Sequence, residues 1–101
     1  MKMLLTVTMP HEPFNTLVRK KKVGEILHRI LEEIKPEASY FTEQDGTRCA
    51  IFVVNVADPS RVPSIAEPFF LNFNADCRFR IVMSPEELGR AGLDGIADKW
   101  A

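Results

Sequence analysis

Little in this 101-residue sequence advertises a partner. No excess charge of one sign is present: 13 lysines and arginines stand against 14 aspartates and glutamates, for a formal net charge of −1. A chain so balanced has no global field with which to hold a nucleic-acid backbone or an anionic membrane. Long hydrophobic runs are missing too. The opening stretch, MKMLLTVTMPHEPF, is far shorter than the roughly 20 apolar residues a bilayer crossing needs, and no small-residue cleavage site follows it. It reads as a first strand in a cytoplasmic protein. Cysteine is scarce. Cys49 and Cys77 are too few for a disulfide framework and show no metal spacing. There is no glycine-rich phosphate loop, no HxxxH and no CxxC, so neither cofactor nor metal is expected. Repeats, low-complexity segments and linkers are absent as well, which leaves a single domain over residues 1–101.

What is present is regular. In residues 3 to 9, Met3, Leu5, Val7 and Met9 alternate with Leu4, Thr6 and Thr8, a half-buried strand ended by Pro10. Residues 23 to 34 carry Val23, Ile26, Leu27, Ile30, Leu31 and Ile34 at the helical period, and Pro36 ends that helix. Phe14, Leu17 and Val18 fall roughly opposite this stripe at about 100° per residue. One straight helix cannot bury both sets, so a break is expected near Lys20 to Gly24. The basic run Arg19-Lys20-Lys21-Lys22 at this break reads as a solvated turn.

Residues 38 to 44 and 47 to 56 read as strands joined by Asp45-Gly46, a type I′ hairpin signal. The centre of the second, AIFVV, is apolar on both faces. A helix is expected over roughly Val62 to Leu71, with Ser60 as its cap and Pro68 bending or shortening it. Residues 75 to 83 form the last strand, with Cys77, Phe79, Ile81 and Met83 on one face and Arg78, Arg80 and Val82 on the other. Ser84-Pro85-Glu86-Glu87 then starts one C-terminal helix, loosened by glycines.

The order β-α-β-β-α-β with an added helix implies an α+β, ferredoxin-like sandwich: four antiparallel strands in the order 4-1-3-2, helices on one face. The other face would show Leu4, Thr6, Thr8, Arg78, Arg80 and one row of AIFVV. That mixture is too apolar for a solvated face, and a second copy of the chain is the expected cover. An RNA-recognition domain would share this fold, but TRCAIFVVNV lacks its basic-glycine-aromatic signature.

The stretches KPEASYFTEQDGTR, DPSRVPSIAEPFF and NADCRFRIVMSPEEL, within a match over roughly residues 3 to 88, resemble a group of small bacterial proteins of the dimeric α+β barrel superfamily. That superfamily includes small monooxygenases, muconolactone isomerases and stress-responsive proteins. The resemblance implies the fold and a homodimer formed through the open sheet face. It brings no catalytic motif with it.

Three functions follow as expectations. The first is a homodimer that binds a small, anionic molecule in a cavity on the sheet face. The second is a cofactor-independent isomerase or monooxygenase. The third is a structural or stress-related interaction protein. In the 4-1-3-2 order, His11 and Glu12 fall near Arg48, Cys49, Asp76 and Arg78. His11 is the candidate general base. Arg78 and Arg80 are candidates to bind a carboxylate or stabilise an enolate, with Glu12 and Tyr40 as further ligand candidates. Each has a plainer role. His11 is a loop residue open to water, and the arginines guard a sheet edge or pair with an acid such as Glu12 or Asp76. Tyr40 is then an ordinary strand aromatic. His28 is read as a solvated partner of Glu25 and Glu32, and the cysteines as small core residues.

Overall fold

The alternation in KMLLTVTM becomes the centre of the molecule. In a computed structural model describing residues 1–101, Lys2–Met9 form β1, with Leu5, Val7 and Met9 all buried on one side. The two-residue period of a strand places them there. The chain then enters α1 (His11–Arg19) and, after a break, α2 (Val23–Ile34). The break falls where the apolar phase changes, with Lys21 at a φ of 59°. Reorientation lets both stripes reach the core. Phe14 of α1 stacks on Phe73 with ring centroids 5.2 Å apart, and Ile30 enters from α2. His28 pairs with Glu32 at 2.9 Å on the outer surface of α2.

β2 (Ala38–Gln44) and β3 (Thr47–Asn55) form a hairpin. Asp45 and Gly46 both take positive φ, 52° and 81°, as a type I′ turn requires to match the strand twist. β3 puts Ala50, Phe52 and Val54 in the core and leaves Ile51 and Val53 half-buried on the other face.

The next connection corrects two expectations. Ser60 does not cap the following helix. Asp58 acts one step earlier: its carboxylate accepts the Ser60 backbone N–H at 2.9 Å and the Ser60 hydroxyl, starting a 3-10 turn over Pro59–Arg61. α3 (Val62–Phe73) grows straight out of this turn with no side-chain cap. Nor does Pro68 shorten α3, which runs on to Phe73 and closes at left-handed Asn74. Phe69 and Phe73 are fully buried, and Phe52 lies between Phe69 (5.5 Å) and Phe41 (6.1 Å, edge-on).

β4 (Asp76–Ile81) completes an antiparallel sheet in the order β2-β3-β1-β4. This is the 4-1-3-2 arrangement of a ferredoxin-like α+β fold, with α1, α2 and α3 on one face. The apolar row of β4 runs out from under the helices as the chain leaves the sheet. Ile81 and Met83 are therefore 63% and 60% exposed rather than buried.

Beyond the sheet the expected single helix is two. Ser84 and Glu87 form a reciprocal capping box, with N–H to oxygen distances of 3.1 and 2.9 Å, that opens α4 (Pro85–Arg90). Gly92, at a φ of 70°, breaks the helix, and α5 (Leu93–Trp100) follows. Both project from the body as an arm. The molecule measures 60 × 28 × 19 Å, and its radius of gyration of 17.2 Å exceeds the roughly 13 Å of a compact chain of this length.

Candidate functional site

The sheet has one bare face, and the register orders it into three cross-strand rows. From the β2 edge to the β4 edge, the middle row is Tyr40, Ile51, Thr6 and Arg78. On one side of it lies an apolar row, Ala38, Val53 and Leu4, ending in Arg80. On the other lies a more polar row, Thr42, Cys49, Thr8 and Asp76. Both arginines thus stand on the β4 edge, two residues apart on one side of the strand, as alternation demands. Tyr40 shares Arg78's row but stands at the far edge, roughly 14 Å away across three strand spacings.

Beside the arginines is an open groove of about 560 Å³. It is lined by Arg78 and Arg80 of β4, Thr6 and Thr8 of β1, and Gln44, Asp45 and Thr47 at the hairpin end of β2 and β3. No apolar side chain lines it. The chain's ion pairs are Lys2–Glu37, Arg19–Glu12 and His28–Glu32, so neither groove arginine is in an ion pair, although Asp45 shares the groove with them. Arg78 does act on Cys49. Burial lifts that thiol above its ordinary range and Glu43 adds to the effect, while Arg78 pulls the other way. Cys77, on the helix side, is pushed up to about 11, chiefly by burial and then by Asp76. Both thiols are free, and both stay protonated at neutral pH, which is the wrong state for a nucleophile.

The other residues expected at this edge are dispersed. His11 is exposed at the first position of α1 and lines neither the arginine groove nor the smaller cleft of about 440 Å³ at the strand ends, where Thr8 meets Asp76. Glu12 turns back along its own helix. It accepts the Thr16 hydroxyl at 2.7 Å and backbone N–H at 3.2 Å, and meets Arg19 at 3.5 Å. The Thr16 hydroxyl, ahead of Arg19, holds its carboxyl below the usual range. Tyr40 is 68% exposed.

Arg48 is on the opposite side of the sheet. Its Nη1 donates to Asn15 Oδ1 at 2.7 Å, and its guanidinium lies 4.3 Å above the Phe14 ring. The reason is register: Arg48 pairs with Met9, a core-side residue, and keeps phase with Ala50 and Phe52. That phase was readable in TRCAIFVVN. The groove residues of the turn, Gln44 and Asp45, were read only as turn formers. Nothing local signals that a twisted sheet carries this turn toward the arginines.

No three His, Cys, Asp or Glu side chains converge as metal ligands, and no helix is long and apolar enough to cross a membrane. The arrangement can offer two forked cations and several hydroxyls to one anion. No protein-family model matches this sequence, and a comparison with curated proteins finds no match.

Proposed function

We propose that the protein is a homodimeric α+β barrel that binds a small anionic molecule, a carboxylate by preference, in the Arg78–Arg80 groove of the bare sheet face. One observation carries this reading: two arginines outside any ion pair line a groove with three threonines, against the single carboxylate of Asp45. A guanidinium presents a planar fork of donors that matches a carboxylate, and a neighbouring hydroxyl can satisfy a remaining lone pair.

The dimer supplies what the open groove lacks. Half-buried Leu4, Ile51 and Val53 lie beside it on a face that would ordinarily be polar. A second copy laid face to face would cover them at a sheet spacing of about 10 Å. A two-fold axis running along the strands sets Tyr40 of one copy opposite Arg78 of the other. Tyr40, distant within one chain, then becomes a wall of the enclosed cavity. Excluding water there strengthens the arginine–anion attraction.

The isomerase or monooxygenase alternative requires a base at the same place. His11 does not line the groove, so ligand binding is the better-supported reading.

Calorimetry with malonate as a probe tests the anion site, and light scattering tests the dimer. The wild type should bind the probe and give a dimer mass at micromolar concentration. Losing a charged hydrogen bond worth about 1.5–3 kcal/mol should weaken binding roughly 10- to 150-fold in Arg78→Ala or Arg80→Ala. Unchanged binding in the double variant, or a monomer mass throughout, would overturn the proposal.

A further inference from the structure

Four of the chain's twelve exposed large apolar side chains, Leu88, Leu93, Ile96 and Trp100, lie on the arm. Within α5 they are ordered. Leu93, Ile96 and Trp100 recur at the helical period, with Ala97 between them, while Asp94, Asp98 and Lys99 take the other side. Their exposures are 57%, 46% and 79%. An eight-residue helix is marginal alone in water, and such helices draw their stability from packing an apolar stripe. Here the stripe is left exposed.

A fitting receptor lies on the far side of the sheet. Between α2 and α3 runs a cleft of about 480 Å³ lined by Ile26, Ile30, Pro68 and Leu71. Leu71 is 81% exposed although it belongs to a core helix. Arg29 and Glu33 on one wall, and Glu67 on the other, offer partners to the charges that flank the stripe. The arginine groove, with no apolar lining, offers the stripe nothing comparable.

We propose that the α5 stripe of one copy docks in the α2–α3 cleft of a second copy, each arm reciprocating the other. The area favours this occupant. Covering Trp100, Leu93, Ile96 and Leu88 at their present exposures removes on the order of 400–500 Å² per arm. Two reciprocal arms then bury on the order of 800–1,000 Å² of arm surface, and with what the two clefts add the contact clears the roughly 1,000 Å² of a specific interface. The contact goes beyond the sheet-face reading and uses different surfaces.

Trp100 is the only tryptophan, so its fluorescence reports the docking directly. Iodide quenching of the full chain should show Trp100 protected at high micromolar concentration and accessible on dilution. Leu93→Asp on the arm and Leu71→Asp in the cleft each alter an exposed residue. Each should raise the concentration needed for protection at least ten-fold. Mixing the two variants should restore one of the two contacts and so protect up to half of the Trp100 side chains, those of the Leu71→Asp chain, whose intact arm meets the intact cleft of the other.

Trp100 open to iodide at every concentration would overturn the proposal. So would protection in a monomer independent of concentration, which means the arm folds onto its own chain. Ile51→Asp separates this contact from sheet-face pairing. Trp100 still protected in that variant supports arm docking whatever the sheet face does. Trp100 exposed in a wild-type dimer that Ile51→Asp dissolves defeats arm docking alone.

Discussion

Replacing Arg48 by alanine removes two contacts that fasten α1 to the sheet. One is the hydrogen bond from the guanidinium to Asn15 Oδ1 at 2.7 Å; the other is the cation–π contact with Phe14 at 4.3 Å. A hydrogen bond with an ionised partner contributes about 1.5–3 kcal/mol, and a cation–π contact about 0.5–2 kcal/mol. The two share one side chain and are not additive, so the expected loss is about 2–3 kcal/mol. That is a large part of the 5–15 kcal/mol typical of a domain. Urea unfolding, run dilute so that association does not intrude, should show the midpoint falling by roughly 1–2 M with its slope unchanged. Malonate affinity should be retained. Arg78→Ala should do the reverse: an exposed side chain without an ion pair should cost no more than about 0.5 kcal/mol, while probe binding weakens roughly 10- to 150-fold. A wild-type midpoint for Arg48→Ala, or equal destabilisation by Arg78→Ala, would refute this division of roles.

Three further outcomes are expected. Phe69→Ala should cost about 3–5 kcal/mol by denaturant titration, because Phe69 is fully buried against Phe52, whereas Leu71→Ala two positions on should cost less than about 0.5 kcal/mol in the dilute monomer. Gly46→Ala should lower the thermal midpoint by roughly 4–16 °C, since a Cβ there meets no atom within 4 Å but the φ of 81° costs a side chain about 1–2 kcal/mol. Between pH 9 and about 11 the folded protein holds a Cys77 proton that the unfolded chain has lost. Stability should therefore fall as pH rises through that window, and Cys77→Ala should flatten this part of the urea-midpoint profile.

Where local rules sufficed, the sequence was informative. Met3, Leu5, Val7 and Met9 declared their common face, Asp45-Gly46 its turn, and Ser84 with Glu87 a helix start. The shift of apolar phase after Val18 revealed the break between α1 and α2. The strand order followed from handedness once the elements were in place. The failures came where neighbours compete or partners are distant. Asp58 and Ser60 are both good caps, and only the actual path of the chain shows that Asp58 takes the role. Glu12 was drawn to Thr16 on its own helix rather than to the arginines. Arg48 found Asn15, far away in sequence, on the face opposite the groove. The glycines after Leu88 warned of a weak helix, but only Gly92 breaks it, and the amphipathic stripe that follows says nothing by itself about where it packs.

The position of β1 has a consequence for the order of assembly. The first strand made is the one that ends up between the third and the fourth: Leu5 pairs with Phe52 on one side and Phe79 on the other. The β2–β3 hairpin can close early, through a turn of two residues, on a microsecond scale. β1 must then close a long loop to reach it, and the loop to β4 is longer still. Until the last strand exists, one side of β1 remains an unpaired ladder. The chain is then most exposed to pairing with another chain until β4 is in place, and a slowed synthesis of residues 76–81 would prolong that interval.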